Sequence, residues 1–118
     1  TKMGVFPQYR YPDAVNRYAK VADFLGLSKP GQTKEEKVEA LVAGVEDLKE
    51  KIGITKTIRD WGIPEKDFLE AVDELSVDAY DDQCTPANPR YPLISELKEI
   101  YLKSYYGREE YLKMKNSK

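Results

Sequence analysis

Histidine is absent from this 118-residue chain. That removes the imidazole general base, the Ser-His-Asp and Cys-His arrangements, the HExxH zinc site and the facial iron triad. Cysteine is nearly absent too. Cys84 stands alone, so an internal disulfide, a CxxC redox pair and an all-cysteine metal cage are excluded. No apolar run approaches the roughly 18 residues of a membrane span, and the N-terminus has no signal-peptide apolar core. A large excess of either charge is also missing. Nineteen basic against 21 acidic residues give a net charge of −2, with no general pull toward nucleic acid or an anionic membrane.

What is present suits one modest core with a heavily solvated exterior. Charged residues reach 34% against 41% hydrophobic, above the usual charged share of roughly 25%. Mean hydropathy is −0.66 and the mass is 13.6 kDa, room for one domain. These traits suit a cytosolic domain that does no difficult chemistry by itself.

Periodicity predicts an all-α fold, a small antiparallel bundle of four to five helices, with no alternating strand and no internal repeat. Residues 1–11 read as extended. The first helix begins at Pro12 or Asp13 and turns Val15, Tyr18, Ala19, Ala22 and Leu25 to one face, with Gly26 as its stop. The second has Thr33 as N-cap and Glu36 three residues on, the spacing of a capping box. Val38, Leu41, Val42, Val45, Leu48 and Ile52 form its stripe, and Gly53 closes it. Thr57 caps a single turn before Gly62. A third long helix runs from Pro64 to near Asp81, burying Phe68, Ala71, Val72, Leu75 and Ala79. The last runs from about Pro92 to Tyr106, with Leu93, Leu97, Ile100 and Tyr101 inward. Residues 1–107 form the helical unit, and 108–118 are expected to fray as a charged tail.

Two features depart from a plain bundle. The first is the connection Asp82-Gln83-Cys84-Thr85-Pro86-Ala87-Asn88-Pro89-Arg90-Tyr91. Bundle connections usually take roughly 2–8 residues, and this one is longer. Prolines at 86, 89 and 92 fix φ and hold their neighbours extended. Such a stiff loop either wraps the bundle end or presents groups to a ligand. The second is carboxylate at a helix C-terminus, where Asp78, Asp81 and Asp82 meet a macrodipole that is already negative. Arg90 is the expected partner, tying the two ends of the loop together. A metal on Asp81 and Asp82 is the poorer alternative, because nothing nearby completes a cage. Tyr111 and Lys115 have a Tyr-x3-Lys spacing but lie in a tail without a βαβ context. The nine tyrosines suit packing better than base stacking.

The segment from Asp81 through Arg90-Tyr91-Pro92-Leu93-Ile94 resembles the C-terminal signature of the iron-activated alcohol dehydrogenases. It is nearest to the alcohol dehydrogenase half of the bifunctional aldehyde/alcohol dehydrogenases. Phe6-Pro7-Gln8-Tyr9, Ala14 to Tyr18, Ala22-Asp23-Phe24-Leu25-Gly26-Leu27, Lys51-Ile52-Gly53-Ile54, Asp73-Glu74-Leu75-Ser76 and Tyr105-Tyr106-Gly107 agree in order and spacing. The resemblance implies the distal part of a larger all-helical metal-binding domain, cut from a parent with an upstream NAD-binding domain. In the family, iron is held by one aspartate and three histidines, all upstream of the matched segment. This chain then binds neither NAD nor iron by itself, contributes no catalytic and no metal-ligating residue, and is inactive alone. Cys84 and Thr85 would line the substrate pocket, while Asp81, Asp82, Asn88 and Arg90 would anchor the loop. The implied partners are the upstream remainder of the enzyme, a small alcohol or aldehyde such as ethanol or acetaldehyde, and further copies in a cytoplasmic homo-oligomer or filament. The competing expectation is a stand-alone helical interaction module without catalysis.

Overall fold

The computed structural model describes residues 13–117. The extended reading of 1–11, the motif Phe6-Pro7-Gln8-Tyr9 and a helix start at Pro12 lie outside them. The described residues form helices α1 (Ala14–Phe24), α2 (Lys34–Lys51), α3 (Ile58–Trp61), α4 (Glu65–Asp81), α5 (Ile94–Tyr106) and α6 (Arg108–Asn116), with a 3-10 turn at Thr85–Ala87 and no strand among them. The fold is all-α. The chain divides into two compact units, the first ending at Ile54 and the second beginning at Thr55.

In the first unit α1 packs on α2. The helix ends are set locally. Thr33 accepts the Glu36 N–H at 3.2 Å, and Glu36 accepts the Thr33 N–H at 2.9 Å, so the capping box is complete. Gly26 and Gly53 both have positive φ, +73° and +80°. At the first, the N–H groups of Gly26 and Leu27 return to Asp23 and Ala22; at the second, those of Gly53 and Ile54 return to Glu50 and Lys49. Both are Schellman closures, which need a left-handed residue that glycine adopts without a steric cost. Asp23 accepts from Ser28 and pairs with Lys37 at 3.0 Å, joining the two helices. Gly44 lets α2 meet the Leu27 side chain, since a Cβ there would stand 2.7 Å from it.

The stripes of this unit are covered far less than their spacing predicts. Only Ala19 and Ala22 are buried in α1, and α2 has no buried residue. Val15, Tyr18, Leu25, Val45, Leu48 and Ile52, expected inward, are exposed. Two helices meet along one line of contact. Small residues at that line are covered, and the flanks of each stripe stay wet.

The second unit has a real core. Phe68, Val72, Tyr105 and Tyr106 cluster, with Ile58, Tyr101, Leu102 and Tyr111 around them. Phe68 stacks on Tyr105 at 4.4 Å, and Tyr106 meets Tyr105 edge-on at 4.9 Å. Each phenol has an acceptor: Tyr105 donates to the Ile63 carbonyl at 2.8 Å and Tyr106 to Glu65 at 3.1 Å. Burial and the Glu65 carboxylate push the Tyr106 pKa up. Thr57 caps α3 through the Asp60 N–H, and Gly62 ends it at φ +108°.

Four expectations about this unit are corrected. Leu75, Leu93 and Ile100 are exposed, while Ser76 is buried and returns its hydroxyl to the Val72 carbonyl at 2.6 Å. The core is centred on the aromatic pair near the end of α5, so the buried face of α4 follows Phe68, Val72 and Ser76. Residues 108–116, expected to fray, form α6. The helix doubles back at Gly107 (φ +91°, ψ 142°) and packs on α5.

Candidate functional site

The site is the connection from α4 to α5. α4 ends where Asp82 turns extended, at φ −62° and ψ 135°. Its carboxylate accepts the Cys84 N–H at 2.7 Å and its carbonyl accepts the Thr85 N–H at 3.0 Å. This Asx turn is a common way for aspartate to reverse a chain. The 3-10 turn follows, with Ala87 bonded to the Cys84 carbonyl at 3.0 Å and Asn88 to the Thr85 carbonyl at 3.1 Å. Pro86 falls in its first turn, where a missing N–H costs nothing. The Thr85 hydroxyl donates back to the Ala79 carbonyl in the last turn of α4, supplying a donor to one of the carbonyls a helix end leaves unpaired. Past the turn, the Asn88 side-chain amide donates to the Arg90 carbonyl. Tyr80 and Tyr91 meet edge to face at 5.8 Å, closing the base of the loop.

Arg90 does not reach back to Asp81 or Asp82 as expected. It pairs with Glu96, whose other oxygen accepts the Leu93 N–H at 3.3 Å. Glu96 is in the first turn of α5, where a carboxylate is favoured by the macrodipole and by free N–H groups. One carboxylate thus caps α5 and holds Arg90. The Asp82 carboxylate is turned away, toward Cys84. Asp81 is the exposed last residue of α4 and has no part in these bonds. The Leu93-x-x-Glu96 spacing was the available signal for Arg90's partner, since glutamate three residues past a helix start reaches back to that start.

Asp82, Cys84, Thr85 and Asn88 come together around one open hollow of about 290 Å3, bordered on the other side by Pro92, Leu97 and Ile100 of the loop end and α5. Four of the six residues singled out in the sequence line it; Asp81 and Arg90 do not. Pro92, which is buried, was not anticipated as a wall. One side is polar and the other aliphatic. Such a hollow can seat a small molecule with a hydroxyl or carbonyl at one end and a short alkyl group at the other. Cys84 is an exposed free thiol.

Among the described residues, no group of three or more His, Cys, Asp or Glu side chains could hold a metal ion. No helix of the described residues is long and apolar enough to cross a membrane.

The comparisons with known proteins agree with the loop. The model of the Fe-containing alcohol dehydrogenase family, C-terminal, matches residues 3–105. The chain belongs to that family. It is 59% identical over 109 residues to the bifunctional aldehyde-alcohol dehydrogenase AdhE of Escherichia coli K12, covering 92% of this chain and 12% of that protein. It is 44% identical over 104 residues to an aldehyde-alcohol dehydrogenase of Clostridium acetobutylicum, covering 88% of this chain and 12% of the relative. An NADPH-dependent butanol dehydrogenase of Clostridium saccharobutylicum is 40% identical over 96 residues, which is 24% of its length. The matched region is thus a small part of each relative.

Proposed function

We propose that this chain is the closing part of the helical domain of an iron-dependent, NAD-linked alcohol dehydrogenase that interconverts acetaldehyde and ethanol. The observation that carries the reading is the 59% identity to a bifunctional aldehyde-alcohol dehydrogenase along 92% of the chain. In that reading the upstream remainder of the polypeptide holds both the metal and the nicotinamide nucleotide. The parent is a cytoplasmic homo-oligomer. The hollow beside the 82–91 loop is one wall of the substrate cleft. Thr85 and Asn88 give that wall its polarity, Cys84 its shape, and Leu97 and Ile100 its aliphatic side. None of these groups moves a proton in the reaction. Asp82, Asn88 and Arg90 keep the loop in place.

Exposed large side chains in both units favour a piece of a larger enzyme over a stand-alone interaction module. Phe24 is 90% exposed and Trp61 74%; in the larger enzyme, upstream segments would cover such side chains. The test has two arms. The chain alone, given acetaldehyde, NADH and Fe2+, oxidises no NADH above background; turnover there would overturn the proposal. In the parent enzyme, Cys84→Ser changes the preference between ethanol and longer alcohols while the iron content stays the same. Loss of iron in that variant would place Cys84 elsewhere than the pocket wall.

A further inference from the structure

We infer that α6 is a detachable arm, clipped to α3 and α5 mainly by charge, whose docking is set by ionic strength. The helix has no buried residue. An apolar contact with the core comes from the half-buried Tyr111, which packs against the Phe68–Tyr105–Tyr106 cluster. Two ion pairs add to the attachment. Arg59 of α3, whose guanidinium also lies 5.7 Å from the centre of the Tyr106 ring, pairs with Glu110. Lys115 reaches Glu99 of α5 at 3.5 Å, a carboxylate it shares with Lys103 at 3.2 Å. All of these side chains are about a third exposed or more, so salt screens them strongly. The hinge is Gly107, with φ +91° and ψ 142°, a backbone region open essentially to glycine alone. The family model's match stops at residue 105, just before this hinge.

An element with little buried area and screened attachments opens before the core beneath it. Release bares the Tyr111 seat on the aromatic cluster and frees Arg59 from Glu110, while α4 and α5 stay packed through Phe68 and Tyr105.

The experiment is hydrogen exchange by mass spectrometry on the intact polypeptide, at low salt and at about 0.5 M NaCl, where the screening length is well under 10 Å. Protection in 108–116 should fall several-fold with salt, with no change in α4 or α5. Glu110→Arg should produce the same loss at low salt, and the charge-reversed pair R59E/E110R should restore it. The inference is overturned if 108–116 ignores both salt and Glu110→Arg, because apolar packing then holds the arm. It is equally overturned if α6 and α5 lose protection together, because α6 is then part of the core.

Discussion

Tyr105 is almost wholly covered, with 1% of its surface exposed, yet it carries a hydroxyl. Burial without an acceptor would cost that group a desolvation penalty of about 1–3 kcal/mol. The Ile63 carbonyl, from the short segment between α3 and α4, removes the penalty. Tyr105→Phe should therefore destabilise by only about 1 kcal/mol, whereas Phe68→Ala beneath it should cost about 3–5 kcal/mol. Urea titrations of the two variants check the contrast, and equal losses would mean the ring stack contributes little. A second residue-scale prediction concerns Arg90. Its partner is Glu96, so a double-mutant cycle between R90A and E96A should give a coupling of up to about 1 kcal/mol, the range of a half-exposed pair. The cycle between R90A and D82N should give none. A larger coupling in the second cycle would restore the expected tie across the loop.

The helices show which local signals carry energy. Thr33 and Glu36 satisfy each other's backbone N–H groups at the start of α2. Thr33→Ala should lower the stability of the α1–α2 hairpin by about 0.5–2 kcal/mol, read as a lower thermal midpoint by circular dichroism. The same hairpin depends on pH. The Ser28 hydroxyl, and then Lys37, hold the Asp23 carboxyl below its ordinary value. A group with a depressed folded pKa stabilises fully above its unfolded value, near 3.9 for aspartate, and loses that contribution as pH falls through the folded value. Melting between pH 7 and pH 2 should therefore show a fall that begins below about pH 5. Asp23→Asn should flatten that part of the fall. An unchanged acid limb in D23N would assign it to other carboxylates, such as Glu36 and Glu99, whose values are also lowered.

Over the whole molecule, the balance of covered and uncovered apolar surface is uneven. The second unit closes an aromatic core, while the first leaves Val45, Leu48 and Ile52 in water. Leu48 is 57% exposed, so Leu48→Lys in the isolated chain should change stability by no more than about 0.5 kcal/mol. If the remainder of the enzyme covers this stripe, the same substitution buries an unpaired ammonium in the parent, which costs far more. Thermal melts of both proteins separate the cases. A small effect in both would mean that this face of α2 stays wet in the parent.

Helix type and helix ends were legible in the residues themselves. The Thr33–Glu36 box, the Thr57 cap, and Gly26, Gly53 and Gly62 are satisfied by partners within a few positions along the chain. The stiff 82–91 loop and its family signature were equally local, and four of its residues do share one hollow. Tertiary structure decided the rest. It selected Ser76 over Leu75 for burial, because the side of α4 that is covered depends on where the Phe68–Tyr105 stack lies. It gave Arg90 to Glu96, because a capping carboxylate at the start of α5 is nearer than the aspartates across the loop. It also ordered residues 108–116, whose polar composition reads as a loose tail until Arg59, Glu99 and the Tyr111 seat hold them. A cap depends on its neighbours in the chain, whereas burial depends on what the fold brings from far away.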